Sequence, residues 1–257
     1  ELPKLDDEFA KEVSEYESLN ALELSIEEKL AKEKTEKAER EAENKLIETL
    51  DKIYTNTQSK DELPLLFVRV RTPEHLKSLS SKTAMFSDIL TGYILPKFDM
   101  SNANEYLEIM SKINGKDKRI YAMPILESAP IANKTTRMHE LSQLSNLLLE
   151  EKEMILNVRV GGNDFCNLYG LRRSITQTIY DIGVVRDIFT DIINVFAQNF
   201  ILSAPVWEYF GTDDTDKWAQ GLKAELSLDT VNGFIGKTAV HPSQIPPINN
   251  NLRVSAE

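Results

Sequence analysis

Short apolar segments alternate along this chain with longer stretches of helical periodicity, and that alternation restricts the fold more than any other feature. The short runs are Leu65 to Val70, Gly92 to Phe98, Ile120 to Leu126, Met154 to Val160, Phe200 to Ser203 and Val231 to Ile235, each followed by polar or proline-containing residues. Between them lie helix-like stretches at Asn104 to Ile113, Thr135 to Glu150, Ile175 to Ala197 and Asp216 to Leu226. Strands separated by helices pair in parallel, because each connection must cross back over the sheet, and the helices cover its faces. With Leu22 to Leu24 as a further strand and Leu2-Pro3 as the tail of a first strand left incomplete in this chain, the set closes as an α/β (β/α)8 TIM barrel. The length of 257 residues suits one such barrel, so residues 1–257 are expected to form a single domain. From Ser25 to Tyr54 the chain is rich in Glu, Lys and Ala, and Leu30, Ala31, Ala38, Ala42, Leu46, Leu50 and Ile53 form a narrow apolar stripe. That pattern predicts a long outer helix with one face on the barrel.

Charge and composition exclude several classes of function. A formal net charge of −11 argues against a nucleic-acid surface, which needs clustered Lys and Arg to replace phosphate counterions. Cys166 is the sole cysteine, so the chain has no internal disulfide and no Cys-rich zinc site. No apolar run is long enough to span a bilayer, and the charged first residues do not form a secretory signal. A cytoplasmic protein with no membrane partner is expected.

Where the polar residues fall is more informative. Arg69 and Arg71, Lys97, Glu127, Asp164, and Lys237 with His241 all lie at or just after the C-terminal ends of different expected strands. In a parallel barrel those ends converge on one mouth, where the active sites of this fold are built. Glu127 and Asp164 come from adjacent expected strands, and a carboxylate pair suits Mg²⁺, which takes one or two protein carboxylates and leaves positions for water and substrate oxygens. Each could equally cap or salt-bridge a neighbouring element. Arg69 offers a fixed fork of donors for a carboxylate or a developing enolate oxygen. Arg71, Lys97 and Lys237 are candidates to bind an anionic substrate, whereas Arg159, earlier in its strand, is expected in a buried ion pair. His241 suits a structural hydrogen bond in the final loop or a catalytic base. Cys166 reads as a buried small residue, and Gly161-Gly162 as a tight turn before Asp164 rather than a phosphate loop.

The chain resembles the HpcH/HpaI aldolase and citrate lyase β-subunit superfamily, and within it the bacterial C–C bond lyases of the TIM-barrel fold. The likeness is carried in family order by Leu65-Leu-Phe-Val-Arg-Val-Arg71, Leu95-Pro-Lys-Phe98, Met123-Pro-Ile-Leu-Glu-Ser128, Gly161-Gly-Asn-Asp-Phe165, Gly170-Leu-Arg-Arg173, Ala204-Pro-Val-Trp-Glu-Tyr-Phe210 and Gly233 through Ile245. It implies Mg²⁺ held by Glu127 and Asp164, with Arg69 facing the substrate as the catalytic arginine. The implied reaction makes or breaks a carbon–carbon bond beside the carbonyl of an acyl-CoA or keto acid, through an enolate. A homo-oligomer is the expected assembly. One departure stands out: Leu24, in Leu22-Glu-Leu-Ser25, replaces an acidic residue of the family's Leu-Glu-Asp motif. Two alternatives accompany the lyase: a thioesterase-like hydrolase on the same barrel, and a barrel that binds a ligand without turning it over.

Overall fold

The computed structural model describes residues 34–57, 59–114, 119–211 and 216–252. The expected strands at Leu2-Pro3 and Leu22 to Leu24 lie outside the described residues. Contacts group the chain into two compact units, 1–58 and 59–257. In the first unit, residues 34–56 form helix α1, within the stretch whose alanine-rich stripe predicts one.

Among its described residues the second unit contains five strands, β1 (Leu66–Arg69), β2 (Leu90–Leu95), β3 (Tyr121–Leu126), β4 (Val158–Val160) and β5 (Leu202–Ser203), all parallel and hydrogen-bonded in chain order. Helices stand between them: α2 (Pro73–Thr83), α3 (Ala103–Ile113), α4 (Ala129–Ala132), α5 (Arg137–Glu150), α6 (Gly162–Leu168) and α7 (Gly183–Phe196). After β5 come α8 (Lys217–Val231) and α9 (Ile245–Asn251). Sequential parallel pairing with helical crossovers is the arrangement that the alternation in the sequence demands.

The local reasons are ordinary. Thr72 accepts a hydrogen bond from the His75 N–H (3.2 Å) and Pro73 opens the helix, so α2 starts on a capped first turn. Helix α7 buries Val185, Ile188, Phe189, Ile192 and Phe196, the three- and four-residue spacing of one helical face. Along β1, Val68 and Val70 are buried while Arg69 between them is exposed; along β4, Val158 and Val160 are buried and Arg159 is half-buried. Strand alternation therefore turns both arginines away from the helical layer.

One strand needs correcting. Val231 to Ile235, read as a strand, instead contains the end of α8, and Val231 is exposed. The N–H of Phe234 donates to Asp229 O (2.9 Å) and that of Gly233 to Thr230 O (3.1 Å), with Gly233 at φ 90°. This 6→1, 5→2 pair is a Schellman ending, which needs a residue able to adopt the left-handed conformation. Pairing with β5 begins only afterwards: Ile235 N–H donates to Leu202 O (2.7 Å), Ala204 N–H to Gly236 O (3.0 Å), and Ala204 bridges Lys237 in parallel. A sixth rung thus follows β5, two to four residues later than expected. Similarly, Met154 to Val160 is strand only at its end, because Lys152–Met154 forms a 3₁₀ turn.

Candidate active site

The turn after β2 prepares the site. Lys97 adopts φ 49°, a left-handed conformation that is uncommon for a residue with a side chain, and Asn102 Nδ2 donates to its carbonyl (2.9 Å). This turn aims the Lys97 N–H at Glu127 Oε1 (3.0 Å), just past the end of β3. On the other side, Gly161 donates its N–H to Leu126 O (3.0 Å) and lies directly against the Glu127 side chain. A Cβ at position 161 would stand 2.3 Å from Glu127 Oε2 and 2.5 Å from its Cβ. Gly161 is therefore required here for close approach rather than for an unusual φ.

Glu127 is buried, with 4% of its side chain exposed, and Arg69 Nη2 lies 3.7 Å from its Oε1 with its own side chain 56% exposed. Asp164 sits in the first turn of α6. The turn expected before Asp164 is in fact this helix, with Gly162 as its first residue. Burial, followed by the negative charge of Asp164, pushes the Glu127 carboxyl up to about 7, and Asp164 also hydrogen-bonds its protonated form. The Lys97 N–H and Arg69 oppose that shift without cancelling it. Two carboxylates this close, one of them buried, repel each other, and the cation at ion-pair distance from Glu127 is the largely exposed Arg69. No group of three or more His, Cys, Asp or Glu positioned for a metal occurs among the described residues. Two carboxylates are nevertheless what Mg²⁺ commonly takes from a protein, so the donor set fits that ion.

The remaining candidates separate. Arg71 and Lys97 are exposed; the Arg71 N–H donates to His75 Nδ1 (3.2 Å) and the Lys97 N–H to Glu127 Oε1 as above. Lys237 goes elsewhere. Its ammonium is fully buried and donates to Glu225 Oε1 (2.8 Å) and Asp229 Oδ2 (2.9 Å), both on α8. Arg173 Nε lies 3.4 Å from Glu225 Oε2, and the Tyr180 hydroxyl donates to Asp229 Oδ1 (2.8 Å). The ammonium expected at the mouth is therefore committed to a buried ion cluster between the last strand and α8. His241 caps the turn that follows it, accepting from Ser243 N–H (3.2 Å), and stacks on Phe210 at 4.5 Å. Cys166 is buried, and burial raises its thiol pKa, which suits packing better than nucleophilic chemistry.

Arg159 also departs from expectation. It hydrogen-bonds the Thr238 hydroxyl, and no carboxylate among the described residues lies within ion-pair distance of it. Burial, then the nearby charge of Arg69, lowers its pKa, while Glu127 acts in the opposite sense. It thus faces the same charges as the site. The alternation of Val158, Arg159 and Val160 was the signal that it points away from the helices.

Comparison with known proteins agrees with this architecture. Residues 2–257 match the family described as C-C bond lyase of the TIM-barrel fold. Among solved structures, RipC from Yersinia pestis is similar at a TM-score of 0.54 and 17% identity, over 75% of this chain and 77% of that one. A citrate lyase from Burkholderia xenovorans LB400 is similar at 0.58 and 12%, over 80% and 64%. The protein CitE from Mycobacterium tuberculosis, in complex with magnesium and pyruvate, is similar at 0.51 and 15%, over 81% and 75%. At these identities the likeness is one of fold. A trigger factor from Clostridium botulinum (strain Eklund 17B / Type B) is 33% identical over 150 residues, 58% of this chain, which spans about a third of that relative's length (33%). No described helix is long and apolar enough to cross a membrane. The parallel sheet, its helical crossovers and a match from residue 2 to residue 257 place this chain in the family of C–C bond lyases of the TIM-barrel fold.

Proposed function

We propose that the chain cleaves or forms a carbon–carbon bond beside the carbonyl of a small acid, a keto acid or an acyl-CoA, at the site built by Glu127, Asp164 and Arg69. The observation that carries this reading is the carboxylate pair itself. Burial, and then the charge of Asp164, drives Glu127 toward protonation, a costly arrangement unless a cation settles between the two carboxylates. Glu127 and Asp164 would hold Mg²⁺, which supplies Lewis acidity toward the substrate's carbonyl oxygen when bound. The magnesium and pyruvate in the CitE complex support the same choice of ion and substrate class.

The chain's own residues then have distinct tasks. The Lys97 N–H fixes one oxygen of Glu127, and Gly161 lets that carboxylate pack against the turn before α6. Arg69, tethered at 3.7 Å but largely exposed, presents its planar fork to solvent and therefore to an incoming anion. As an enolate forms, Arg69 stabilises the charge that grows on its oxygen, which selectively lowers the transition state. Arg71 and Lys97, exposed after β1 and β2, would meet the more distant charges of the substrate. Lys237 has no part in this proposal. The family match over 2–257 supports one barrel domain, and we place it in the cytoplasm as a homo-oligomer.

The test is product formation from a panel of keto acids and acyl-CoA thioesters with Mg²⁺, comparing the parent with Arg69→Lys. The lyase reading expects carbon-chain cleavage by the parent and a loss on the order of 10²-fold in kcat for the variant, with little change in substrate affinity. Thioester hydrolysis without carbon-chain cleavage would overturn it, as would binding without any turnover.

A further inference from the structure

Arg159 is a half-buried guanidinium with five N–H donors, yet among the described residues its recorded hydrogen bond is to the neutral hydroxyl of Thr238. It pairs in register with Ile125 on β3 and Ser203 on β5, while its neighbours Val158 and Val160 are buried. To reach Thr238, beyond the sixth rung, its side chain must cross β5 on the face opposite the helices. That is the side on which Arg69 and Glu127 meet. A half-buried guanidinium without a carboxylate partner is unfavourable, and a second one nearby makes it more so.

The charge balance suggests what relieves this. Without an ion, Glu127 and Asp164 match Arg69 and Arg159 in number. Once the two carboxylates are taken up by a divalent cation, both guanidiniums are left without an anion. We propose that Arg159 is a second substrate-binding arginine, which with Arg69 selects a substrate whose carboxylate enters the barrel beside the reacting carbonyl. The substrate class is then a 2-oxo acid or its equivalent rather than a neutral carbonyl compound. This rests on the reading of the site given above and adds a residue and a specificity to it. Arg159 binds the carboxylate with the donors Thr238 leaves over, and Thr238 holds the guanidinium in place.

The experiment titrates the purified chain with pyruvate and with methyl pyruvate, its neutral ester, with and without Mg²⁺, by calorimetry and thermal melting. The parent should bind pyruvate more tightly than the ester. Arg159→Met should weaken pyruvate on the order of 10²-fold, as expected for losing hydrogen bonds to a charged group, and leave the ester within about threefold. Arg159→Lys should fall between parent and Met, because it keeps the charge without the fork. Thr238→Val keeps the guanidinium but removes the hydroxyl that holds it, and should weaken pyruvate binding by clearly less than Arg159→Met does. If Arg159→Met does not fold, the Lys and Thr238→Val variants decide alone. The inference is overturned if Arg159 variants weaken both probes alike or neither, if Thr238→Val loses as much as Arg159→Met, or if the parent does not prefer pyruvate. Carboxylate-dependent binding lost in Arg159→Met, with no cleavage by the parent, would keep Arg159 and sink the lyase reading. Cleavage by the parent with Arg159→Met unchanged would do the reverse.

Discussion

The barrel mouth and the α8 cluster each bring two carboxylates together, and they treat them in opposite ways. Around Lys237, Glu225 and Asp229 are buried with cations at 2.8, 2.9 and 3.4 Å, and a tyrosine hydroxyl and the Ile179 N–H (2.7 Å) satisfy further oxygens. At the mouth, Glu127 and Asp164 repel each other, and the cation within ion-pair distance of Glu127 is a largely exposed arginine at 3.7 Å. A matched cluster serves the fold; an unmatched one is free to bind something. Carboxylates therefore carry different meanings according to whether the fold has already neutralised them.

The largest expected effect belongs to the matched cluster. Lys237→Met leaves Glu225 and Asp229 buried without their main cation and should cost about 3–5 kcal/mol of stability in urea unfolding. A loss under 1 kcal/mol would break the contrast, since Lys237 would then be dispensable to the fold.

Glu127, ordinarily near 4.5, is pushed up to about 7, so the folded protein holds a proton that the unfolded chain releases across that window. Without Mg²⁺, stability should therefore fall as pH rises from about 4.5 to about 7, by at most roughly 3 kcal/mol. With Mg²⁺ the sign reverses, because the ion needs the deprotonated carboxylate and should bind more weakly below about pH 7. Unfolding at pH 5 and pH 8, with and without Mg²⁺, in the parent and in Glu127→Gln measures both. A pH response that survives in Glu127→Gln would assign it to another group.

Gly161→Ala probes the packing behind the pair. The added Cβ would meet Glu127 atoms at 2.3 and 2.5 Å, so the carboxylate must shift, at about 1–3 kcal/mol in urea unfolding. The thermal response to Mg²⁺ should shrink with it. A variant with parental stability and parental Mg²⁺ response would show that Glu127 is not held against the turn.

How much of this was readable in the sequence depends on how local the cause is. The strands at 66–69, 90–95 and 121–126 and their polar ends were legible, because aliphatic runs bounded by Pro and Lys state their own limits. That Glu127 and Arg69 stand together followed from those ends. Lys237 did not: a lysine after the last strand reads the same whether it faces the mouth or α8. The hint lay in Glu225 and Asp229, two acids one turn apart beside Leu222 and Leu226, a stripe too apolar for a solvated face. The missed strand start had a local cause, the Schellman ending at Gly233, masked by the β-branched Val231. Arg159 required the register of three strands and the position of Thr238, none of which is written within its own segment.

Isothermal titration of Mg²⁺ into the parent, Asp164→Asn and Glu225→Gln asks whether Glu127 and Asp164 form an ion site while Lys237 and its acids form a structural one. Saturable binding is expected in the parent, at least tenfold weaker binding in Asp164→Asn, and parental affinity in whatever Glu225→Gln protein folds. The Asp164→Asn protein should be no less stable than the parent without Mg²⁺, since the charge that repels Glu127 is gone. Equal Mg²⁺ affinity in the parent and Asp164→Asn would place the ion elsewhere and contradict the account.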